Sequence, residues 1–327
     1  SDSSAALSPA RFFIAADERK RMESELGLST DELMERVMTE TKPHAIAPIS
    51  NYFVSVVALG VSGALYVGVN VEFVGAAISQ SVHAEQFLIA NALAHGEERI
   101  TRLVLSAPPC GHCRQFFNEL RYGGEIRIVV PSYGIDCVLD ELLPHSFGPD
   151  DLNLSAKLEP GAVHFEMSSA SVRRVSDADG AAKLVSKSTL HQALLAACGS
   201  YAPCTRSPSS VALVSRGAVF TGWFIESAAF NPSLCPLQGA LVQLLVAGGS
   251  VADVEAAVLA EAEGAPVSQA RATMEALRCV APGAVVVELE CAMRVVPDEA
   301  IAKEHSAESA AALERMAAAA CESLQRK

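Results

Sequence analysis

His83-Ala84-Glu85 and, further along, Pro109-Cys110-Gly111-His112-Cys113 bring one imidazole, one free carboxylate and two thiols into the first half of the chain. Zinc favours tetrahedral sites of nitrogen and sulfur, and a catalytic zinc keeps three protein ligands and leaves the fourth position to water. His83, Cys110 and Cys113 fill three positions, and two thiolates with a neutral imidazole balance the charge of the metal. Glu85 is then left over. A carboxylate beside metal-activated water can take its proton and pass it to a ring nitrogen and a departing amine. Together these residues read as a hydrolytic metal centre with a free carboxylate to carry protons.

Rival readings use fewer of the residues. The Cys-x-x-Cys pair alone could be a redox pair, and His112 could close a structural zinc site as a fourth ligand. The first leaves His83 and Glu85 idle, and the second leaves Glu85 unexplained. Chance co-occurrence is the third alternative; it would explain any one part of the pattern more readily than the combination.

Local structure must hold these groups in place. Residues 82–94 place Phe87, Leu88 and Ala92 on a helical period, with Ser81 as a candidate N-cap and Gly96 as a stop. Residues two apart do not share a helical face. His83 and Glu85 can therefore serve one metal only from the first turn. Residues 109–122 read as a second helix with Pro109 at or just before its first turn. Cys110 and Cys113 share a face at its positive end, which favours thiolates. The metal would join two helix N-termini.

Around this pair, residues 16–38 are charged and helical in period and are expected to form a cap on the core. Pro43 and Pro48 break the chain. Residues 52–59 and 64–70 are β-rich runs joined by Gly60-Val61-Ser62-Gly63, a hairpin pattern, and further strands are expected at 103–107 and 125–131. Strands alternating with helices imply an α/β sandwich with a partly parallel sheet. The two metal helices begin where strand-to-helix turns open at the sheet edge, a usual place for a ligand crevice.

Periodicity weakens over 143–185, which reads as a linker carrying Phe147-Gly148-Pro149-Asp150-Asp151-Leu152. A worn internal copy then begins near Ser188. Ala47-Pro48-Ile49-Ser50 recurs as Ala202-Pro203-Cys204-Thr205, and Ser81-Val82-His83-Ala84-Glu85-Gln86 recurs as Ser233-Leu234-Cys235-Pro236-Leu237-Gln238. Cys235 replaces the histidine, Leu237 replaces the glutamate, and Cys279 stands alone. The copy cannot hold the same chemistry, so its expected role is architectural. Residues 297–327 are rich in Ala, Glu and Ser with widely spaced leucines, and read as an exposed or loosely docked helical tail. The expected division is 1–42 as a helical cap, 43–146 as the catalytic domain, 147–187 as linker, 188–291 as the zinc-free copy and 292–327 as tail.

Composition narrows the partners. A chain of 327 residues is long enough for two domains and a large core. The net charge of −13 and pI near 5.1 argue against nucleic acid, since phosphate contacts need clustered Lys and Arg. Half the residues are hydrophobic, but no uninterrupted apolar run is long enough to span a bilayer, and residues 1–20 lack the pattern of a signal peptide. The nine cysteines are scattered and odd in number, as expected of reduced thiols in a cytoplasmic protein.

From about residue 16 to about 291, these motifs closely resemble the homodimeric bacterial and plant type of cytidine deaminase. His-x-Glu followed by Pro-Cys-x-x-Cys is the signature of the zinc deaminases. The resemblance implies a three-layer α/β/α sandwich with a mixed sheet, a catalytic domain followed by a zinc-free copy, and a homodimer with active sites near the interface. It implies hydrolytic deamination of cytidine and 2′-deoxycytidine to uridine and 2′-deoxyuridine, with release of ammonia, in pyrimidine salvage. One Zn2+ per chain would sit on His83, Cys110 and Cys113, with Glu85 moving protons between water, N3 and the amino group. Asn70 and Glu72 would bind the ribose 3′-hydroxyl, and Tyr52 would lie against the pyrimidine. The Ala84 N–H would meet the base carbonyl, the Pro108 carbonyl would accept from the amino group, and Phe147 matches a ring supplied across the dimer interface. Most relatives have Phe where this chain has Tyr52, and Thr, Ser or Ala where it has Pro108. A nucleotide (dCMP-type) or polynucleotide deaminase would share the zinc motif but needs a basic pocket or groove. A non-enzymatic zinc scaffold would have no use for the free Glu85.

Overall fold

The computed structural model describes residues 11–154, 157–160, 164–296 and 307–326. By internal contacts the chain divides into two units, Ser1–Glu72 with Ser81–Gly148, and Phe73–Gln80 with Pro149–Lys327.

The first unit is built on a six-stranded sheet in the order β1-β3-β2-β4-β5-β6, comprising β1 (Phe13–Ile14), β2 (Ser55–Gly60), β3 (Leu65–Val69), β4 (Ile100–Leu105), β5 (Arg127–Val130) and β6 (Ile135–Val138). Only the β4–β5 pairing is parallel. A parallel pair needs a crossover, and the crossover carries α4 (Gly111–Phe117). The helix α1 (Ala16–Leu26) precedes α2 (Thr30–Thr41), which starts at a Ser29–Glu32 capping box and buries Leu33, Met34, Val37, Met38 and Thr41. Ser55 Oγ donates to the Met38 carbonyl at 2.6 Å, so this side of β2 faces α2. The next residue, Val56, points the other way and pairs with Gly68. A side chain at Gly68 would meet the Ala84 carbonyl and come within 2.7 Å of Leu88 N, so the opposite side of the sheet lies directly under α3 (Ala84–Ala94). The result is the expected α/β/α sandwich. Within the 16–38 segment, α2 lays its apolar stripe against β2, β3 and β4 and forms one of the three layers. The helix α5 (Leu139–Leu142) follows β6.

The second unit repeats this plan. Its sheet runs β7-β11-β10-β8-β9, with β7 (His164–Val175), β8 (Ser209–Ser215), β9 (Ala218–Trp223), β10 (Val254–Ala262) and β11 (Val285–Val296). Here β10–β11 is the parallel pair, with α9 (Ala270–Val280) in its crossover. Ser210 Oγ donates to the Ala193 carbonyl of α7 (Lys187–Cys198) at 2.6 Å, repeating Ser55 and Met38. Gly222 lies under Pro236, Gly239 and Ala240 of α8 (Pro236–Val246), repeating Gly68 under α3. Three expectations are corrected. The supposed linker contains β7 and α6 (Ala178–Leu184), and β7 pairs with β11 over its length. The boundary at 291 falls inside β11, which continues to Val296. The supposed tail contains α10 (Ala307–Gln325), which is docked: Leu313, Ala317, Ala320 and Leu324 are buried in one cluster with Ala181, Leu190 and Ala193. Alanines at that spacing let the helix approach closely, so few large side chains are needed. Residues 297–306 and 327 of that segment lie outside the described residues. Among the described residues no helix is long and apolar enough to cross a membrane.

Candidate active site

Two helix starts converge in the first unit. His83, with extended backbone, occupies the N-cap position of α3, one position beyond the start of the helical pattern and two beyond the expected cap Ser81. Gln86 Oε1 accepts from the His83 N–H at 3.3 Å. Cys110, also extended, is the N-cap of α4, and Cys113 lies in its first turn. Cys113 Sγ is 3.2 Å from His83 Nδ1, Cys110 Sγ is 3.5 Å from the same nitrogen, and the two sulfurs are 3.6 Å apart. Bond lengths of about 2.3 Å to sulfur and about 2.0–2.1 Å to nitrogen in a tetrahedron require separations of roughly 3.8 Å and 3.5 Å. The three donors already stand close to that arrangement. Among the described residues they are the group that could hold a metal ion. His112 is not one of them; its ring lies 5.2 Å from that of His83, centroid to centroid.

The donor chemistry asks for a cation. The hydrogen bond from Cys113, with His83 adding to it, pushes the Cys110 thiol down to about 3. Cys113 is raised, first by that same bond to Cys110 and then by burial. Two thiolates 3.6 Å apart repel each other, and a divalent ion between them is what makes both favourable together. Glu85 contacts the Cys113 thiol and is only 5% exposed. Burial holds its carboxyl above its ordinary range, against the lowering effect of its own backbone N–H and of Cys113. A carboxyl raised by burial and fixed beside the metal group is placed for general acid–base work.

The expected substrate residues fall into three groups. Ala84 is the first residue of α3, and Pro108 is partly buried just before α4. Tyr52 is 56% exposed. Its N–H donates to Ser50 Oγ at 3.0 Å, and its hydroxyl meets that of Tyr133. Asn70 and Glu72 engage the same loop. Asn70 Oδ1 accepts from the Val54 N–H at 2.8 Å and Asn70 Nδ2 donates to the Tyr52 carbonyl at 2.9 Å. Glu72 accepts from the Ile49 N–H at 2.9 Å, the Ser50 N–H at 3.0 Å and the Ser50 hydroxyl. Phe147 is 46% exposed, and its carbonyl accepts from Gln115 and Asn118 of the α4 segment.

Sequence reasoning missed the outward side of α4. Arg114 Nε donates to the Pro109 carbonyl and Arg114 Nη1 to the Leu142 carbonyl, each at 2.8 Å. With Gln115 and Asn118 it ties the 142–147 segment to the helix that carries the two thiols. The available signal was a run of side-chain donors directly after Cys113. Tyr133 carried no signal.

Comparison with known proteins agrees with this geometry. Two family models, both described as the cytidine and deoxycytidylate deaminase zinc-binding region, match the chain, one over residues 28–129 and the other over residues 139–274. The chain is 38% identical over 289 residues to Cytidine deaminase 1 of Arabidopsis thaliana, covering 83% of this chain and 94% of that protein. It is also similar to the crystal structure of cytidine deaminase from Mycobacterium tuberculosis, at 29% identity over 36% of this chain and 95% of that one, with a TM-score of 0.33. The corresponding structure from Mycobacterium leprae gives 28%, 36%, 99% and 0.33. Two matching regions, the long identity and the His-Cys-Cys group with its adjacent carboxylate lead to one statement: the chain belongs to the cytidine and deoxycytidylate deaminase family, a family of zinc-dependent hydrolases.

Proposed function

We propose that this protein deaminates cytidine and 2′-deoxycytidine hydrolytically, and that it holds one zinc per chain on His83, Cys110 and Cys113. The observation that carries the reading is the buried Glu85 carboxyl in contact with Cys113, where a proton can be held next to the metal group. Zinc, when bound, supplies a Lewis acid that makes water nucleophilic near neutral pH. Glu85 accepts a proton from the attacking water and delivers it to N3 of the pyrimidine, which leaves C4 short of electrons. The water oxygen forms a bond to C4, and a second proton passing through Glu85 turns the amino group into ammonia as the C4–N bond breaks. Water is consumed and ammonia released, so the step balances without a redox partner. The Ala84 N–H receives the base carbonyl, and the Pro108 carbonyl accepts from the amino group. Asn70 and Glu72 face the sugar 3′-hydroxyl, and the Tyr52 ring lies along the base.

Cys235 and Leu237, standing where the first copy has His83 and Glu85, support one metal per chain. The exposed Phe147 ring, on a backbone pinned by α4, supports a homodimer in which it reaches a neighbouring site. The scattered odd cysteines support a cytoplasmic setting, and pyrimidine salvage is the pathway this reaction would serve. The test is a set of kcat/KM values for cytidine, 3′-deoxycytidine and dCMP. Cytidine should exceed 3′-deoxycytidine by at least about tenfold, since the substrate without the hydroxyl forgoes a hydrogen bond to a charged group, worth about 1.5–3 kcal/mol. A preference for dCMP would replace this reading by a nucleotide deaminase.

A further inference from the structure

The internal copy provides a control for the loop that carries Tyr52. In both units an isolated pair of bridges ties this region together, Ile46–Val71–Val82 in the first and Tyr201–Ile225–Leu234 in the second. Glu226 repeats Glu72: it accepts from the Cys204 N–H at 2.8 Å and the Thr205 N–H at 3.1 Å. Asn51 and Arg206, at matching places, both take positive φ of 53°. The glutamate clamp therefore persists in a unit that has lost the metal residues, which makes it a device of the fold. Asn70 behaves differently. Its counterpart is Phe224, whose backbone N–H donates to the Ser209 carbonyl at 2.9 Å as that of Asn70 does to Val54 at 3.3 Å. The Phe224 side chain packs with Phe165 and Ala202 and makes no loop hydrogen bond of the Asn70 kind. In the copy the loop N–H that corresponds to Val54, that of Ser209, is taken instead by Ser200 Oγ at 3.1 Å. The fold thus has another way to satisfy that amide. What the catalytic unit gains from an asparagine is the second bond, from Nδ2 to the Tyr52 carbonyl.

We propose that Asn70 is a positioning residue: both ends of its amide fix the Tyr52–Val54 backbone, and through it the Tyr52 ring, whether or not a sugar hydroxyl is present. The inference rests on the reading of Tyr52 as the wall of the pyrimidine site. It differs from a role confined to gripping the 3′-hydroxyl, because the amide is already committed on both sides to the loop. Ser50 Oγ on the Tyr52 N–H and the Tyr133 hydroxyl on the far end of the ring complete the support.

The experiment has two arms on full-length, zinc-loaded protein. In the first, amide hydrogen exchange is followed without substrate in wild type, Asn70→Ala and Asn70→Asp. Asn70→Ala should speed exchange at Val54 by at least about tenfold, the effect of losing one net hydrogen bond. Asn70→Asp keeps the acceptor for Val54, so its Val54 amide should stay as slow as in wild type. In the second arm, kcat/KM is compared for cytidine and 3′-deoxycytidine. Both variants should lose at least about fivefold on 3′-deoxycytidine, a substrate with no 3′-hydroxyl to grip. A loss confined to cytidine, or a Val54 amide unchanged in Asn70→Ala, overturns the proposal. Should Asn70→Ala fail to fold, Asn70→Asp alone decides through its 3′-deoxycytidine rate. The exchange arm needs no turnover, so failure of the cytidine reading would show as no activity in wild type while the loop result stands.

Discussion

Leu324→Ala tests whether α10 is part of the second core. The Leu324 side chain is 2% exposed and shares a cluster with Leu313, Ala317, Ala320 and residues of α6 and α7. Removing a buried leucine side chain costs about 2–5 kcal/mol, depending on how far the site can collapse. Leu324 lies in the last turn of α10, where helix ends fray and neighbours can close in, so the lower part of that range applies, about 2–3 kcal/mol. For a unit of this size that is a fall in Tm of roughly 4–12 °C. Trp223 is the single tryptophan and stands at the end of β9, so its fluorescence reports on unfolding of the second unit. The control is Glu314→Ala on the exposed side of the same helix, expected within about 0.5 kcal/mol of wild type. Zinc content should be equal in all three proteins, since every ligand lies in the other unit. If Leu324→Ala unfolds with Glu314→Ala and wild type, the helix is a tail and the core described for the second unit is wrong.

Other outcomes follow from the same contacts. Gly68→Ala puts a methyl group against the Ala84 carbonyl and Leu88 N, both backbone atoms, so the overpacking cost is at least about 1–3 kcal/mol, and α3 is displaced with the Glu85 it carries. Tm, zinc content and turnover should all fall, whereas Gly222→Ala should lower Tm and leave zinc content alone. A Gly68→Ala protein with wild-type values would show that sheet and helix are not in contact there. Burial alone would raise the Glu72 carboxyl, but the Ser50 hydroxyl and the Ser50 and Ile49 amides outweigh it and hold it below its ordinary 4.5. A depressed carboxyl contributes stability that is fully present above 4.5 and lost as pH falls through the lowered folded value. The Ile49 and Ser50 amide shifts should therefore be constant above that pH and move together only below it; titration above 4.5 would mean the clamp is not formed.

Much of the site could be read from residue types because its chemistry is local. His83 and Glu85 are two apart, Cys110 and Cys113 three apart, and both pairs are confined by a helix start, so spacing alone brings them near one metal. The hairpin and the α/β alternation were legible for the same reason: periodicity is a property of short windows. The missed features join distant residues. Asn70 and Glu72 grip a loop about twenty positions earlier through hydrogen bonds to main-chain groups, and those leave no trace in residue type at the receiving end. The α10 segment looked poorly anchored because its buried positions are mostly alanines, whose contribution is close approach and not side-chain bulk. The β7 strand escaped notice because Ser168, Ser169, Ala170, Ser171, Arg173 and Arg174 interrupt an apolar alternation, and only the long pairing with β11 holds it in the sheet. The second copy was recognised from sparse matches, and its geometry is preserved where its chemistry is not: Ser210, Gly222 and Glu226 do what Ser55, Gly68 and Glu72 do, without the metal residues.

The central claim is that Glu85 moves the protons of a deamination at a zinc held by three other residues. The most direct measurement is the fall in absorbance of cytidine, with ammonia assayed in parallel, for wild type and Glu85→Gln at equal protein, each with zinc measured by elemental analysis. Wild type should carry one zinc per chain and convert cytidine to uridine with one ammonia released. Glu85→Gln should carry the same zinc and lose turnover by roughly 10²–10⁴-fold or more, since one group serves several transfers. A Glu85→Gln protein with the wild-type rate, or one that has lost its zinc, would contradict the account.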